Sequence, residues 1–147
     1  MADVLHFDLV SPERRLASFD AREVRVPGAE GQLTAMPDHT PVITTLRPGL
    51  VVVTGTDGST SAYAVTGGFA EITQDSAAVL AERAYPATAE NRAEIEAHLE
   101  AARKKVADVE PEHRDAAELF VQDLVELMDD MSDARGISTS AGAPGPA

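Results

Sequence analysis

Apolar and polar positions alternate in short runs through the first 86 residues, which predicts β-strands rather than helices. The segment Leu5–Val10 has a period of two, the pattern of a strand with one buried face. Similar strand-like runs follow at residues 15–19, 21–26, 33–36, 42–46, 50–53, 62–66, 69–72 and 77–81. Many short strands at close spacing predict an antiparallel β-sandwich or a flattened barrel.

Turn-forming residues separate these runs. Pro27-Gly28, Pro37-Asp38 and Pro48-Gly49 each predict a change of chain direction, because proline presets φ and glycine accepts positive φ. Asp57-Gly58 lies between two strand-like runs and predicts a β-hairpin. Gly67-Gly68 predicts a close approach between two strands, since neither residue carries a side chain.

After Pro86 the spacing of apolar residues changes to three and four, which predicts α-helices. Thr88 is the expected N-cap of the first helix, and Pro111 suits the first turn of the second. The apolar stripe of the first helix is Ile95, Leu99, Ala102, Val106 and Val109. The stripe of the second helix is Ala117, Phe120, Leu124, Leu127 and Met131. A short link predicts an antiparallel helical hairpin.

The sequence therefore predicts three segments. They are an all-β N-terminal antiparallel β-sandwich at residues 1–86, an α-helical hairpin at residues 87–135 and a disordered tail at residues 136–147. Gly136 is the expected stop of the second helix, and the tail is rich in Ser, Gly, Ala and Pro.

Composition narrows the classes of function. The 147 residues include no cysteine, which excludes disulfides, thiol nucleophiles and thiolate metal sites. A net charge of -13 argues against binding of nucleic acid, which needs clustered lysine and arginine. No apolar run is long enough to span a bilayer, so we expect a soluble protein that meets a membrane only through partners.

The sequence offers no evident catalytic, cofactor or metal motif. None of the four histidines, His6, His39, His98 and His113, has metal-ligand spacing or a neighbouring Ser or Cys nucleophile, although folding could still assemble a site from distant residues. Phosphate-binding glycine loops are also missing. A small β-sandwich hydrolase is therefore a weak alternative, because it would need convergent nucleophile, base and oxyanion groups.

Several spaced blocks resemble one protein family. They are Pro-Gly-x-Glu-Gly-x-Leu from Pro27, Pro-x-His-x-Pro from Pro37 and Leu-Arg-Pro-Gly from Leu46, followed by residues 67–72 and 79–84. In this order they resemble the epsilon subunit of the rotary proton-translocating ATP synthase, called delta in mitochondria. The resemblance runs from about Leu5 to Ala84 and implies a β-sandwich.

The resemblance also implies a function. Epsilon subunits are non-catalytic parts of the central rotor stalk that bind gamma and seat it on the c ring, coupling proton flow to ATP synthesis. The expected partners are gamma and the c ring, without a cofactor. The expected location is peripheral, on the cytoplasmic face of the bacterial inner membrane.

Carried onto this sequence, the family implies two contact regions. One is a c-ring contact loop, consisting of Gly28, Ala29, Glu30, Gly31 and Gln32. The family often has a second acidic residue where Gln32 stands, so charge pairing is less expected there than hydrogen bonding. The other region is a face toward gamma and the c ring at Asp38, His39 and Thr40. Asp38 and His39 could equally serve to satisfy the backbone of a turn.

An alternative function is an ATP-sensing regulatory module whose C-terminal helices inhibit ATP hydrolysis. Some relatives bind ATP through an acidic residue and arginines of the first helix, and Glu90 and Arg92 are the comparable residues here. The second arginine of that motif is not evident. Inhibition in relatives relies on basic residues, whereas residues 112–135 carry eight acidic side chains and two basic ones. We therefore expect no strong inhibition.

Overall fold

The computed structural model describes residues 3–133, which form a β-sandwich followed by two packed helices. The strands are β1 (Leu5–Val10), β2 (Arg15–Gly28), β3 (Gly31–Ala35), β4 (Val42–Leu46), β5 (Gly49–Gly55), β6 (Thr60–Val65), β7 (Gly68–Ile72), β8 (Ser76–Ala81) and β9 (Ala84–Pro86). The helices are α1 (Ala89–Asp108) and α2 (Arg114–Asp133), with a short 3-10 turn at Pro111–His113 between them. The predicted fold class is confirmed, while the expected stop at Gly136 and the tail lie outside the described residues.

The long strand β2 joins the two layers of the sandwich. Its first half pairs with β1, and its second half pairs with β3 and β5, with an irregularity between Ala21 and Glu23. The prediction of two separate strands at 15–19 and 21–26 was wrong. Asp20 does not break the strand, because it is exposed beside its partner His6 on the outer surface.

One layer contains β1, β8, β7 and β4, and the other contains β3, β2, β5, β6 and β9. All pairs are antiparallel except β1 with β8, which run parallel. The prediction of a purely antiparallel sandwich was therefore wrong for this pair. A hairpin can join only antiparallel strands, whereas β1 and β8 are separated in the sequence by β2 to β7 and can therefore run parallel. The three-residue strand β9 was not predicted either.

The main core lies between the two layers. Phe7 is fully buried there, with its ring centroid 5.5 Å from that of Phe19 and 6.2 Å from that of Tyr63. Six strands each place two or more side chains in this core, at largely alternate positions, as the period-two patterns predict. They are β1, β2, β5, β6, β7 and β8. Gly68 confirms the predicted close approach, since a Cβ built on it would lie 2.1 Å from the carbonyl oxygen of Leu80.

The helical hairpin covers the outer face of β5 and β6. The Thr88 hydroxyl accepts a hydrogen bond from the Asn91 backbone at 3.1 Å, which confirms the predicted N-cap. A second apolar cluster joins the helices to this sheet face, and its buried members include Ala62, Ala64, Ile95, Leu99, Leu124 and Leu127. The first part of the α1 stripe and the last part of the α2 stripe therefore hold the hairpin against the sandwich. The prediction was wrong for Val106 and Val109, which are only half-buried and lie outside this cluster near the end of α1.

The N-terminal part of the α2 stripe is not buried. Ala117 is half-buried and Phe120 is exposed, although both positions were predicted to face the core. The reason is a cleft of about 750 Å³ between the first turns of α2 and the end of the sandwich. Burial along α2 begins only at Asp123.

Candidate interaction surfaces

The predicted ring-contact loop is the tight turn between β2 and β3. Gly28 and Gly31 face each other as a strand pair, so Ala29 and Glu30 form the exposed tip. Gly31 has φ of 134°, a conformation that strongly favours glycine. A Cβ on Gly28 would lie 2.7 Å from the Gly31 carbonyl oxygen, so both glycines are required by the turn. Gln32 is exposed immediately beside it.

Neighbouring segments hold the base of this loop. The Ala29 backbone donates to the Thr45 carbonyl at 2.8 Å, and the Arg47 backbone donates to the Pro27 carbonyl at 2.9 Å. Gly49 packs so closely that an added Cβ would lie 2.7 Å from the Pro27 Cβ. The tip is therefore exposed while hydrogen bonds and close packing hold its backbone in place.

The second predicted region, Asp38, His39 and Thr40, forms a tight turn after β3. Asp38 has φ of 70°, and its backbone donates to the Gln74 carbonyl at 2.7 Å. The His39 backbone donates to the Met36 carbonyl, and its ring contacts the Thr40 carbonyl. Of these side chains, the His39 ring therefore contacts a backbone carbonyl of the turn, whereas the bond of Asp38 comes from its backbone. Contact of this turn with a partner stays a prediction.

The structure separates the two predicted contact regions. They lie at opposite ends of the five-residue strand β3, which spans about 16 Å. The ring-contact loop and the turn at residues 38–40 thus do not form one continuous patch.

Glu90 and Arg92 both lie in the first turns of α1, but only Arg92 makes a hydrogen bond to α2. Glu90 is exposed, whereas the Nε of Arg92 donates to the Met128 carbonyl at 3.3 Å. Arg92 therefore links α1 to α2. This bond uses one of the N–H donors of the Arg92 guanidinium.

The histidines are dispersed over the structure. His6 lies 3.2 Å from Asp20, and the Tyr85 hydroxyl lies 3.0 Å from His98. Burial is the main cause that raises the pKa of Tyr85. Within the part of the chain that the structure describes, no three His, Cys, Asp or Glu side chains gather where they could hold a metal ion.

An exposed apolar face is the feature that sequence reasoning missed. Strands β4, β7, β8 and β1 bring Thr45, Phe69, Leu80 and Val10 into one cross-strand row. Phe69 is 47% exposed, Leu80 42% and the nearby Ile43 68%. Exposed apolar side chains that gather in this way mark contact surfaces. We call the face formed by Val10, Ile43, Thr45, Phe69 and Leu80 the apolar sheet face.

The sequence did contain a signal for this face. Residues 77–81 read Ala-Ala-Val-Leu-Ala, an apolar run without the alternation of a strand that has one wet side. Its register with β7 and β1 could not be read from the sequence. A groove of about 640 Å³ borders the row and is also lined by Phe120 of α2.

An ion pair connects α2 to the base of the ring-contact loop. The guanidinium of Arg47 donates from Nε to Asp123 Oδ2 at 3.1 Å and from Nη2 to Asp123 Oδ1 at 2.6 Å. The hydrogen bond to Asp123 is the main cause that raises the pKa of Arg47, followed by the charge of that carboxylate. Because the Arg47 backbone also binds Pro27, one residue touches both the hairpin and the loop.

Neither helix of residues 3–133 combines the length and apolarity needed to cross a lipid bilayer.

A protein-family model matches the N-terminal part of the chain. Residues 4–87 match the family model described as ATP synthase, Delta/Epsilon chain, beta-sandwich domain. This span covers the strands from β1 to β9.

Individual relatives extend the similarity into the helices. The ATP synthase epsilon chain of Paracoccus denitrificans is 50% identical over 131 residues, which covers 89% of this chain and 88% of the relative. The ATP synthase epsilon chain of Rhodobacter capsulatus is 54% identical over 128 residues, covering 86% and 96% respectively. The similarity thus includes the hairpin as well as the sandwich.

Solved structures are similar in fold. A chain of the Euglena gracilis mitochondrial ATP synthase, in a cryo-EM structure with its c-ring, aligns with a TM-score of 0.67 at 18% identity, covering 91% of this chain and 82% of that one. A chain of the Tetrahymena thermophila mitochondrial ATP synthase central stalk and c-ring aligns with a TM-score of 0.59 at 15% identity, covering 86% and 94%.

Proposed function

This chain belongs to the ATP synthase delta/epsilon family, and we propose that it is the non-catalytic epsilon subunit that joins gamma to the c ring in the central rotor stalk. One observation carries the proposal. The same rigid sandwich presents an apolar sheet face and, at a separate place, a polar loop with a fixed backbone. A connector that turns as part of a rotor needs two such contact surfaces.

The apolar sheet face is the proposed gamma site. Interfaces bury an apolar centre within a polar rim. Here Phe69 and Leu80 provide the centre, while Glu71 on β7 and Asp8 on β1 flank it as cross-strand partners of Ala78. Ile43 extends the face toward the turn at Asp38, His39 and Thr40. That turn would then form part of the rim of the gamma contact.

The loop of Gly28, Ala29, Glu30, Gly31 and Gln32 is the proposed c-ring contact. Its tip carries one carboxylate, and the exposed Gln32 adds hydrogen-bonding groups. The backbone bond to Thr45 ties the loop to β4, one of the strands that carry the apolar sheet face, and the bond from Arg47 ties it to the segment directly after β4. Torque at the loop would therefore reach the gamma site without passing through a flexible link.

These contacts would couple proton flow through the ring to ATP synthesis in the catalytic head. The subunit would be peripheral, on the cytoplasmic face of the bacterial inner membrane, and held there by its partners. An ATP-sensing role for the hairpin has less support, since the Nε of Arg92 already binds the Met128 carbonyl.

Copurification tests the proposal. Tagged full-length chain is expected to recover gamma and the c ring from detergent-solubilised membranes of the source cells. Leu80→Asp is expected to reduce recovery, because it places a charge in the apolar centre. Thr56→Asp adds the same charge at an exposed turn between β5 and β6 and should leave recovery unchanged. Failure of the unmodified chain to recover either partner would contradict the proposal.

A further inference from the structure

Phe120 on α2 continues the apolar sheet face onto the helical hairpin. Its side chain lines the same groove of about 640 Å³ as Phe69 and Leu80. Phe120 is 37% exposed and its neighbour Leu119 is 47% exposed. Two large apolar side chains therefore remain uncovered on α2 next to an uncovered sheet.

The charges around this groove indicate the kind of occupant. Strands β1, β4, β7 and β8 contain no lysine or arginine. Glu82 lines the groove, Asp8 and Glu71 lie on the sheet beside it, and the exposed Arg15 of β2 pairs with Val10 at its edge, so acidic side chains outnumber basic ones there. The complementary partner is an apolar surface bordered by basic side chains.

Other occupants fit the groove poorly. A second copy of this chain, with its net charge of -13, would place one acidic face against another. The chain's own residues 134–147 contain a single large apolar side chain, Ile137. It offers little area to cover the five exposed ones, Ile43, Phe69, Leu80, Leu119 and Phe120. A different subunit with basic groups satisfies both requirements.

We propose that gamma contacts Phe120 and Leu119 together with the apolar sheet face, so that the docked hairpin forms part of the gamma site. This inference rests on the proposed function. Only the docked hairpin places Phe120 beside Leu80, so gamma binds the docked form more tightly than an undocked one. By reciprocity, bound gamma stabilises the docked hairpin.

Binding of full-length variants to the epsilon-free ATPase complex tests the inference. Phe120→Ala is expected to weaken binding about tenfold, the loss typical of an apolar anchor at an interface. Gln122→Ala, an exposed truncation two residues further along α2, is the matched control and should bind like the unmodified chain. Thermal unfolding of each free variant shows whether the hairpin and sandwich remain folded.

Leu80→Asp separates this inference from the proposed function. If it abolishes binding while Phe120→Ala binds normally, gamma uses the sheet alone and the inference fails, although the proposed function stands. If both variants bind normally, the apolar sheet face is not the gamma site and both assignments fail.

Hydrogen exchange provides a second readout. Backbone amides of α2 between residues 114 and 128 are expected to exchange more slowly in the complex than in the free chain. In the Phe120→Ala variant, measured with enough ATPase complex to bind all of the chain, exchange of these amides should slow by a smaller factor. Unchanged exchange in the complex would show that gamma does not hold the hairpin.

Discussion

Arg47 and Asp123 form a two-point ion pair in which the two partners are unequally buried. The Arg47 side chain is 39% exposed, whereas that of Asp123 is 5% exposed. The arginine can regain water when its partner is lost, but the carboxylate cannot. Because α2 carries Asp123, this pair fixes the hairpin to Arg47, whose backbone supports the loop from Gly28 to Gln32.

Removal of Arg47 should therefore destabilise the protein more than removal of Asp123. Arg47→Ala leaves a buried carboxylate without its partner and is expected to cost about 2–3 kcal/mol of unfolding free energy. Asp123→Asn keeps a hydrogen-bonding side chain and is expected to cost about 1 kcal/mol. Urea unfolding measures both, with Glu118→Gln as a control that removes an exposed charge of α2. Equal losses for the two variants would show that the unequal burial does not matter.

Glycine substitutions should separate steric clash from backbone strain. Gly68→Ala combines φ of 124° with a Cβ 2.1 Å from the Leu80 carbonyl oxygen, so we expect a loss of about 3 kcal/mol or more. Gly31→Ala has a similar φ of 134° but nothing within 4 Å of the added Cβ, so we expect about 1–2 kcal/mol. Thermal and urea unfolding compare them. Similar losses would mean that β7 and β8 can move apart without cost.

The sequence located most strands because the period-two patterns and turn residues are local. The strand prediction failed at Asp20, because a polar residue that is exposed within a strand cannot be distinguished in the sequence from a polar residue that separates two strands. It also missed β9, whose three residues are too few to show a period. The parallel partner of β1 could not be predicted, because no local pattern records which distant strand lies beside it.

Of the candidate surfaces, the loop could be predicted from local sequence, whereas the apolar sheet face could not. The loop from Gly28 to Gln32 is defined by glycine positions, so its shape was visible in the sequence. The apolar sheet face depends on the register of Phe69 with Leu80 and of Leu80 with Val10, which only the folded sheet provides. Phe120 was assigned to the core because its helical spacing fits the stripe, but a cleft lies where the core would be.

Residues 1–86 should fold without the hairpin. The core between the two layers is built from the strands and is distinct from the cluster that α1 and α2 form with β5 and β6. A chain ending at Pro86 is expected to keep its β-type circular dichroism and to bind the ATPase complex, with affinity reduced about as much as in Phe120→Ala. It should also bind an apolar dye at the uncovered Leu50 and Val52. Loss of the β spectrum, or a soluble product that does not bind, would contradict this division.

Reversal of the loop charge should affect coupling more than hydrolysis. Glu30 is at the exposed tip, and its substitution leaves the backbone bonds of the loop intact, so Glu30→Lys is expected to fold normally. In membrane vesicles with the assembled complex, ATP-driven proton pumping should fall by a larger factor than ATP hydrolysis. Insertion of residues between Gly28 and Gln32 should act in the same direction. Glu23→Lys, on the neighbouring strand β2, is the charge control. A proportional fall in both activities would exclude the loop as a coupling contact.

The hairpin is expected to be a weak inhibitor of hydrolysis. Residues 112–135 carry eight acidic and two basic side chains, a net charge of -6. Insertion beside acidic loops of the catalytic subunits would bring like charges within the Debye length of about 8 Å at physiological salt. The docked position also satisfies Asp123 through Arg47. ATP hydrolysis by the complex is measured with the full chain and with a chain ending at Pro86. A several-fold rise on truncation, at unchanged subunit composition, would show that the hairpin does inhibit.

The parallel pairing of β1 with β8 also limits the order in which the protein can form during synthesis. It joins His6 to Ser76, positions separated by half of the chain. A nascent chain that has not yet emerged from the ribosome as far as β8 has no parallel partner for its first strand. The layer of β1, β8, β7 and β4 can therefore close only after β8 emerges, whereas β5 and β6, the strands that α1 and α2 cover, are synthesised before β8.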